Sequence, residues 1–164
     1  MTDRDKAAQP LLEPGQLIPS FSLPDADGMM YSPWNYKQRQ HLVLLFTRSI
    51  SSSETRGLLR EFARHYAAFR EEDCSILVIT PDPVINNLRA ELHLPFPLLG
   101  NPQGDVIARY TQWEKANGTL HPSIVLADRY NALYQQWTAE QEADLPPIDE
   151  LLASLRYLNR LCTP

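Results

Sequence analysis

Cysteine is scarce, with only Cys74 and Cys162 among 164 residues. Their separation makes neither a CxxC pair nor a metal-binding spacing, and there is no sign of a disulfide framework. No excess of basic charge is present either. The formal net charge is −5, which opposes nonspecific attraction to nucleic acid, so no nucleic-acid partner is expected. No apolar run approaches the roughly 20 residues of a membrane-spanning helix, and the charged opening "MTDRDKAAQPLLEPGQ" lacks a signal-type apolar core. The expectation is a cytoplasmic protein without a membrane partner. P-loop, G-x-G-x-x-G and G-x-S-x-G motifs are also missing, and with them the commonest phosphate, dinucleotide and serine-hydrolase signals. No cofactor is expected.

What is present suits one globular domain. Hydrophobic residues make up 43% and charged residues 21%, enough apolar surface for a core. Residues 1–13 are expected to form a mobile arm, and residues 14–164 one domain. "FSLPDADGMMYS" predicts a short hairpin, with Asp25-Ala26-Asp27-Gly28 as its turn. "HLVLLF" and "SILVIT" are continuous apolar runs, the pattern of strands buried on both faces. Between them, Leu58, Phe62, Tyr66 and Phe69 recur at helical spacing. "PDPVINNLRAELHL" predicts a helix, and "PFPLLGNPQGDVIARYTQW" an extended piece followed by another. "PSIVLAD" and "ALYQQW" are joined so closely that they must pair antiparallel. The last helix is predicted over about 147–162, with Ile148, Leu151, Leu152, Leu155 and Leu158 on one stripe. The order gives an α/β sandwich around a mixed central sheet.

Five segments, in order and spacing, carry a family resemblance: "PGQLIPSFSLPDADG", "HLVLLFTRSISSSE", "SILVITPD", "FPLLGNPQGDVIARY" and "HPSIVLADRYNALYQQW". Together they resemble the peroxiredoxins of the alkyl hydroperoxide reductase/thiol-specific antioxidant family. The resemblance implies a thioredoxin-like, peroxiredoxin-type α/β fold whose mixed central sheet is flanked by helices, with an N-terminal β-hairpin. It also implies a homodimer, since peroxiredoxins commonly pair. In that family a threonine precedes the peroxidatic cysteine by three places, and the cysteine leads a pattern like cysteine-proline-threonine-glutamate. Here the register reads Ser51-Ser52-Ser53-Glu54, with Arg48 in the threonine's place. Near the later strand, where the family carries an arginine, stand His121-Pro122-Ser123. Family resemblance implies a cis peptide at Pro122.

A serine hydroxyl has no accessible anion comparable to a thiolate and forms no sulfenic acid. The sequence therefore predicts loss of ordinary thiol peroxidase action and a binding or regulatory role. Three roles are open to Ser51. It fits a capping box with Glu54. It could belong to a helix N-terminus that holds a small anion or polar ligand, with Arg48 contributing charge. It could be a nucleophile paired with His121, giving a hydrolase or transferase. An antioxidant oxidoreductase relying on Cys74 or Cys162 is the remaining alternative, although Cys74 reads as a small buried hydrophobe. Glu61 and His65 share a helical i, i+4 spacing but are too few for a metal site. The degenerate pocket is thus Arg48, Ser51, Glu54, His121 and Pro122, with no metal.

Overall fold

A computed structural model describes residues 11–84, 88–114, 116 and 118–161. The hairpin forms from β1 (Leu23–Pro24) and β2 (Met30–Tyr31), paired antiparallel. Asp25 Oδ1 accepts the amides of Asp27 and Met29, both at 2.9 Å, and Gly28 takes the left-handed φ of +83° that closes the turn. The two apolar runs become β3 (His41–Phe46) and β4 (Cys74–Thr80), buried throughout and paired in parallel.

The helix between them is broken. Its first part, α1, spans Ser53–Arg64, and after His65 a short α2 covers Tyr66–Glu71. Of the predicted stripe, Phe62 and Phe69 are fully buried, while Leu58 and Tyr66 pack against the core from half-buried positions. Of "PDPVINNLRAELHL", residues 85–87 lie outside the described residues; α3 is the single turn Leu88–Glu91. β5 (Leu98–Gly100) and α4 (Asp105–Tyr110) follow as expected. A small ribbon of β6 (Trp113–Glu114) and β7 (Thr119–Leu120) was not legible in the sequence. β8 (Ser123–Ala127) and β9 (Leu133–Thr138) form the antiparallel pair, and α5 (Ile148–Leu161) buries all five stripe residues.

The central sheet has the order β5-β4-β3-β8-β9, with β3 parallel to β4 and antiparallel to β8. Alternation along β3 splits the core in two. Val43 and Leu45 pack with Leu59, Phe62, Leu151 and Leu155 on one face. Leu42, Leu44 and Phe46 pack with Phe21, Ile107 and Tyr110 on the other. Most of the expected arm lies outside the described residues. Within 11–13, Leu12 is buried and its amide donates to Gln136 Oε1 at 3.2 Å. This scaffold places the serine loop at the C-terminal end of β3, where the helix that follows must begin.

Candidate functional site

β3 continues its ladder one residue past Phe46, with the Thr47 amide on Ile79 O at 3.0 Å. Thr47 is fully buried and its Oγ1 has no hydrogen-bond partner, a feature that no sequence pattern marks. The chain then turns through residues 48–52 into α1. Arg48 leaves the loop sideways and meets two carboxylates. Its Nε donates to Glu142 Oε1 at 3.0 Å and Oε2 at 2.9 Å, one terminal nitrogen also bonds Glu142 Oε2, and that nitrogen donates to Glu54 Oε2 at 2.7 Å. Glu142 is 4% exposed and also accepts from the Thr55 hydroxyl at 3.0 Å.

The capping-box expectation fails here. Ser52, not Ser51, is the N-cap of α1, and it makes no side-chain capping bond. Ser51 is exposed, and its hydroxyl instead pairs with Ser49 Oγ at 2.8 Å. Glu54 turns to Arg48 rather than back to the cap, because an ionised guanidinium makes a stronger, charge-assisted bond than a neutral amide. The loop is held from another side by Asp82, whose Oδ2 accepts Ile50 N at 2.6 Å and Ser49 Oγ at 3.0 Å. Glu142 and Asp82 were not among the expected site residues. Each is distant in sequence and belongs to no motif, so only the folded chain brings them in.

Charge in this loop is therefore already matched. The hydrogen bonds that Arg48 donates to Glu142 raise its pKa beyond the ordinary value, outweighing the opposing effect of burial. For Glu142 burial pushes the carboxyl up, but the Arg48 and Thr55 hydrogen bonds and the Arg48 charge together hold it below the usual carboxylate range. Arg56 adds a cation whose Nε donates to Ile50 O at 2.8 Å. Arg48 is thus paired with Glu54 and Glu142, while Asp82 and Arg56 hold the loop through the Ile50 backbone. An open, polar depression of about 460 Å³ is lined by Arg48, Ser49, Ser52, Glu54, Gly118 and Gln141.

His121 is not brought into hydrogen-bond contact with Ser51. It lines a separate depression with Gln112, Trp113, Glu114 and Thr119, and its Nδ1 is enclosed without a partner. Its backbone is anchored at both ends, by His121 N on Gln112 O at 3.0 Å and by Thr111 Oγ1 donating to His121 O at 2.7 Å. The Ser51–His121 dyad is thus not assembled. Nor is the peptide before Pro122 cis: no cis bond occurs among the described residues. The trans chain runs into β8 with Pro122 O accepting the Ala139 amide at 3.1 Å. Of the five expected pocket residues, the fold joins Arg48 to Glu54 and sets Ser51 in the same loop; His121 lines another depression, and Pro122 is buried behind it.

The strand order, the hairpin and a loop-to-helix transition at the end of a buried parallel strand now stand beside a family match. The AhpC/TSA family pattern matches residues 14–136. The chain belongs to the AhpC/TSA family. Two sequences of Mycobacterium tuberculosis, from strains CDC 1551 and H37Rv and provisionally named peroxiredoxins, are each 30% identical to it over 104 residues. That stretch is 62% of this chain and 64% of those curated relatives. The peroxidoxin BcpB of M. tuberculosis has a similar fold, with a TM-score of 0.77 at 21% identity, over 89% of this chain and 97% of that one. A cysteine-to-serine variant of Xylella fastidiosa PrxQ gives 0.77 at 16% identity, over 90% and 98%. Enterococcus faecalis AhpC gives 0.76 at 14% identity, over 90% and 93%.

Within this AhpC/TSA chain the described thiol lies far from the serine loop. Cys74 opens β4 opposite His41, at the other end of the sheet, and is fully buried. Burial pushes its thiol well above the ordinary cysteine range, so the nucleophilic thiolate is suppressed. Cys162 lies outside the described residues. No cluster of three metal-ligating side chains occurs among the described residues. His65 Nδ1 is engaged by Glu61 O at 2.9 Å, and Glu61 pairs with Arg64 at 2.9 Å. No helix among the described residues is long and apolar enough to cross a membrane.

Proposed function

We propose that this AhpC/TSA family member has no thiol peroxidase activity and works as a binding or regulatory module. The observation that carries the reading is Ser51, an exposed hydroxyl in the register of the peroxidatic cysteine. The charge around it supports the same reading. A peroxidatic thiolate needs cations or helix amides to lower its pKa, whereas here Arg48 is taken by Glu142 and Glu54, and Asp82 holds the Ile50 amide. Because Arg48 is already paired, the depression beside Ser49 and Ser52 suits an uncharged polar group better than a free anion.

The test is peroxide consumption by the purified chain with excess dithiothreitol, together with dimedone trapping of sulfenic acid. No turnover above background is expected. Turnover that disappears in Cys162→Ser or Cys74→Ser would overturn the reading and make the chain an oxidoreductase with a relocated thiol. Ser51→Cys is expected to stay near background as well, because Arg48, the cation nearest in the loop, is already paired with Glu142 and Glu54 and is not free to stabilise a thiolate. If that variant reduced peroxide efficiently, the charge argument would be wrong.

A further inference from the structure

A second cleft, of about 420 Å³, opens between the β1–β2 turn and the end of α3. Its volume falls in the range of roughly 300–1,000 Å³ typical of small-ligand sites. Asp25 and Asp27 contribute acid on the turn side, and Arg89 and His93 contribute basic groups on the helix side. Leu94 and Leu98, both buried, give it an apolar base beside Val84.

These charges of opposite sign do not meet. Among the described residues neither aspartate pairs with Arg89 or His93, and the Asp27 carboxylate takes no hydrogen bond. Two of the side chains, Asp25 and Arg89, are nevertheless oriented, and the backbone of His93 is fixed. Asp25 is fixed by two turn amides. Arg89 is oriented by its Nε on Leu94 O at 3.2 Å. His93 sits in the left-handed region at φ +52°, with its amide on Ala90 O at 3.1 Å. Val84, on the third side, is packed tightly against β5 from behind, because a Cβ on Gly100 would lie 2.9 Å from Asp82 O and 3.0 Å from Val84 N. Only glycine lets β5 approach the 82–84 segment so closely.

We propose that this cleft binds a small zwitterion, an amino acid or dipeptide with an apolar side chain, its ammonium toward Asp25 and Asp27 and its carboxylate toward Arg89. A ligand of single charge would meet like charge on one side, which a zwitterion avoids. Its apolar side chain would cover Leu94 and Leu98. The inference does not depend on the peroxidase reading, since none of Asp25, Asp27, Arg89 and His93 hydrogen-bonds the serine loop.

The test is an ¹⁵N-HSQC titration of the full chain with glycyl-leucine, N-acetyl-glycyl-leucine and glycyl-leucinamide, up to about 10 mM, tenfold above a Kd of about 1 mM. Glycyl-leucine is expected to shift the amides of Asp27, His93 and Leu94. Each blocked analogue should bind roughly threefold to fivefold more weakly, the size of one partly exposed charge contact. Asp27→Asn should weaken glycyl-leucine but leave the N-acetyl form unchanged, and Arg89→Gln should do the same for the amide form. Equal binding of all three peptides, or no shifts at the cleft, would overturn the proposal. The peptides act on the unaltered protein, so a variant that fails to fold leaves the result intact.

Discussion

The two ends of strand β3 handle buried polar groups in opposite ways. At the C-terminal end Arg48 and Glu142 are both charged and multiply bonded, with Thr55 and Glu54 completing the set. At the N-terminal end His41 is fully buried, and its pKa is lowered, which favours the neutral ring. Asn159 Nδ2 donates to Glu72 O at 3.1 Å and to Glu72 Oε2 at 2.9 Å, which leaves Oδ1 as the acceptor facing His41 Nε2 at 2.7 Å. His41 Nε2 also lies 3.4 Å from Arg129 Nη2, and His41 Nδ1 is enclosed without a partner. Burial lowers the His41 pKa most; the Asn159 bond raises it, the Arg129 charge lowers it, and Asp128 and Asp73 raise it, with a net fall below 6.5. Across the β3–β4 ladder its partner is Cys74, likewise held neutral. A buried charge persists where a full set of partners surrounds it, and burial alone suppresses ionisation where they do not.

Breaking the ionic end should have the largest effect. Arg48→Ala leaves Glu142 buried beside a single hydroxyl and is expected to cost about 3 kcal/mol in urea unfolding at pH 7. The loss should shrink toward pH 4, where the stranded carboxyl takes up a proton. Equal losses at both pH values would mean that Arg48 acts through packing. Asn159→Ala, at the neutral end, removes the His41 acceptor and two donors to Glu72, for an expected loss of about 1–2 kcal/mol by the same measurement.

The pH profile sharpens the contrast. His41 has a folded pKa below its ordinary value, so its contribution is full above pH 6.5 and is lost as pH falls through the folded value. Glu142 is also depressed, so its contribution is present above the ordinary carboxylate range and is lost only at lower pH. Thermal melts should thus weaken in two stages on acidification, the first removed by His41→Gln and the second retained. A first stage that survives His41→Gln would assign it to another group. The smallest effect belongs to Ser51→Ala, expected within about 0.5 kcal/mol of the parent because Ser51 is exposed and caps nothing. A loss above about 1 kcal/mol would restore the capping role.

Much of this protein was legible in residue patterns. The continuous apolar runs gave β3 and β4, the five-residue stripe gave α5, and Asp25 to Gly28 gave the hairpin turn, because each depends on local periodicity or turn chemistry. The site was less legible. Ser51-Ser52-Ser53-Glu54 is a capping box on paper, yet Glu54 belongs to Arg48. The Ser51–His121 pair depended on a shared pocket that the fold does not make. The β6–β7 ribbon is only two residues per strand, too short for a period-2 signal.

By itself the sequence determined that the loop after β3 carries serines and no cysteine, and which residues could form strands and helices, since composition and periodicity are properties of the chain. Only the tertiary structure decided that Arg48 is spent on Glu142, that Asp82 fastens the serine loop and that Cys74 is sealed beside His41. Those contacts join residues 94, 32 and 33 positions apart, or on neighboring strands. Electrostatic pairing and burial act through space, where sequence spacing carries no information about distance.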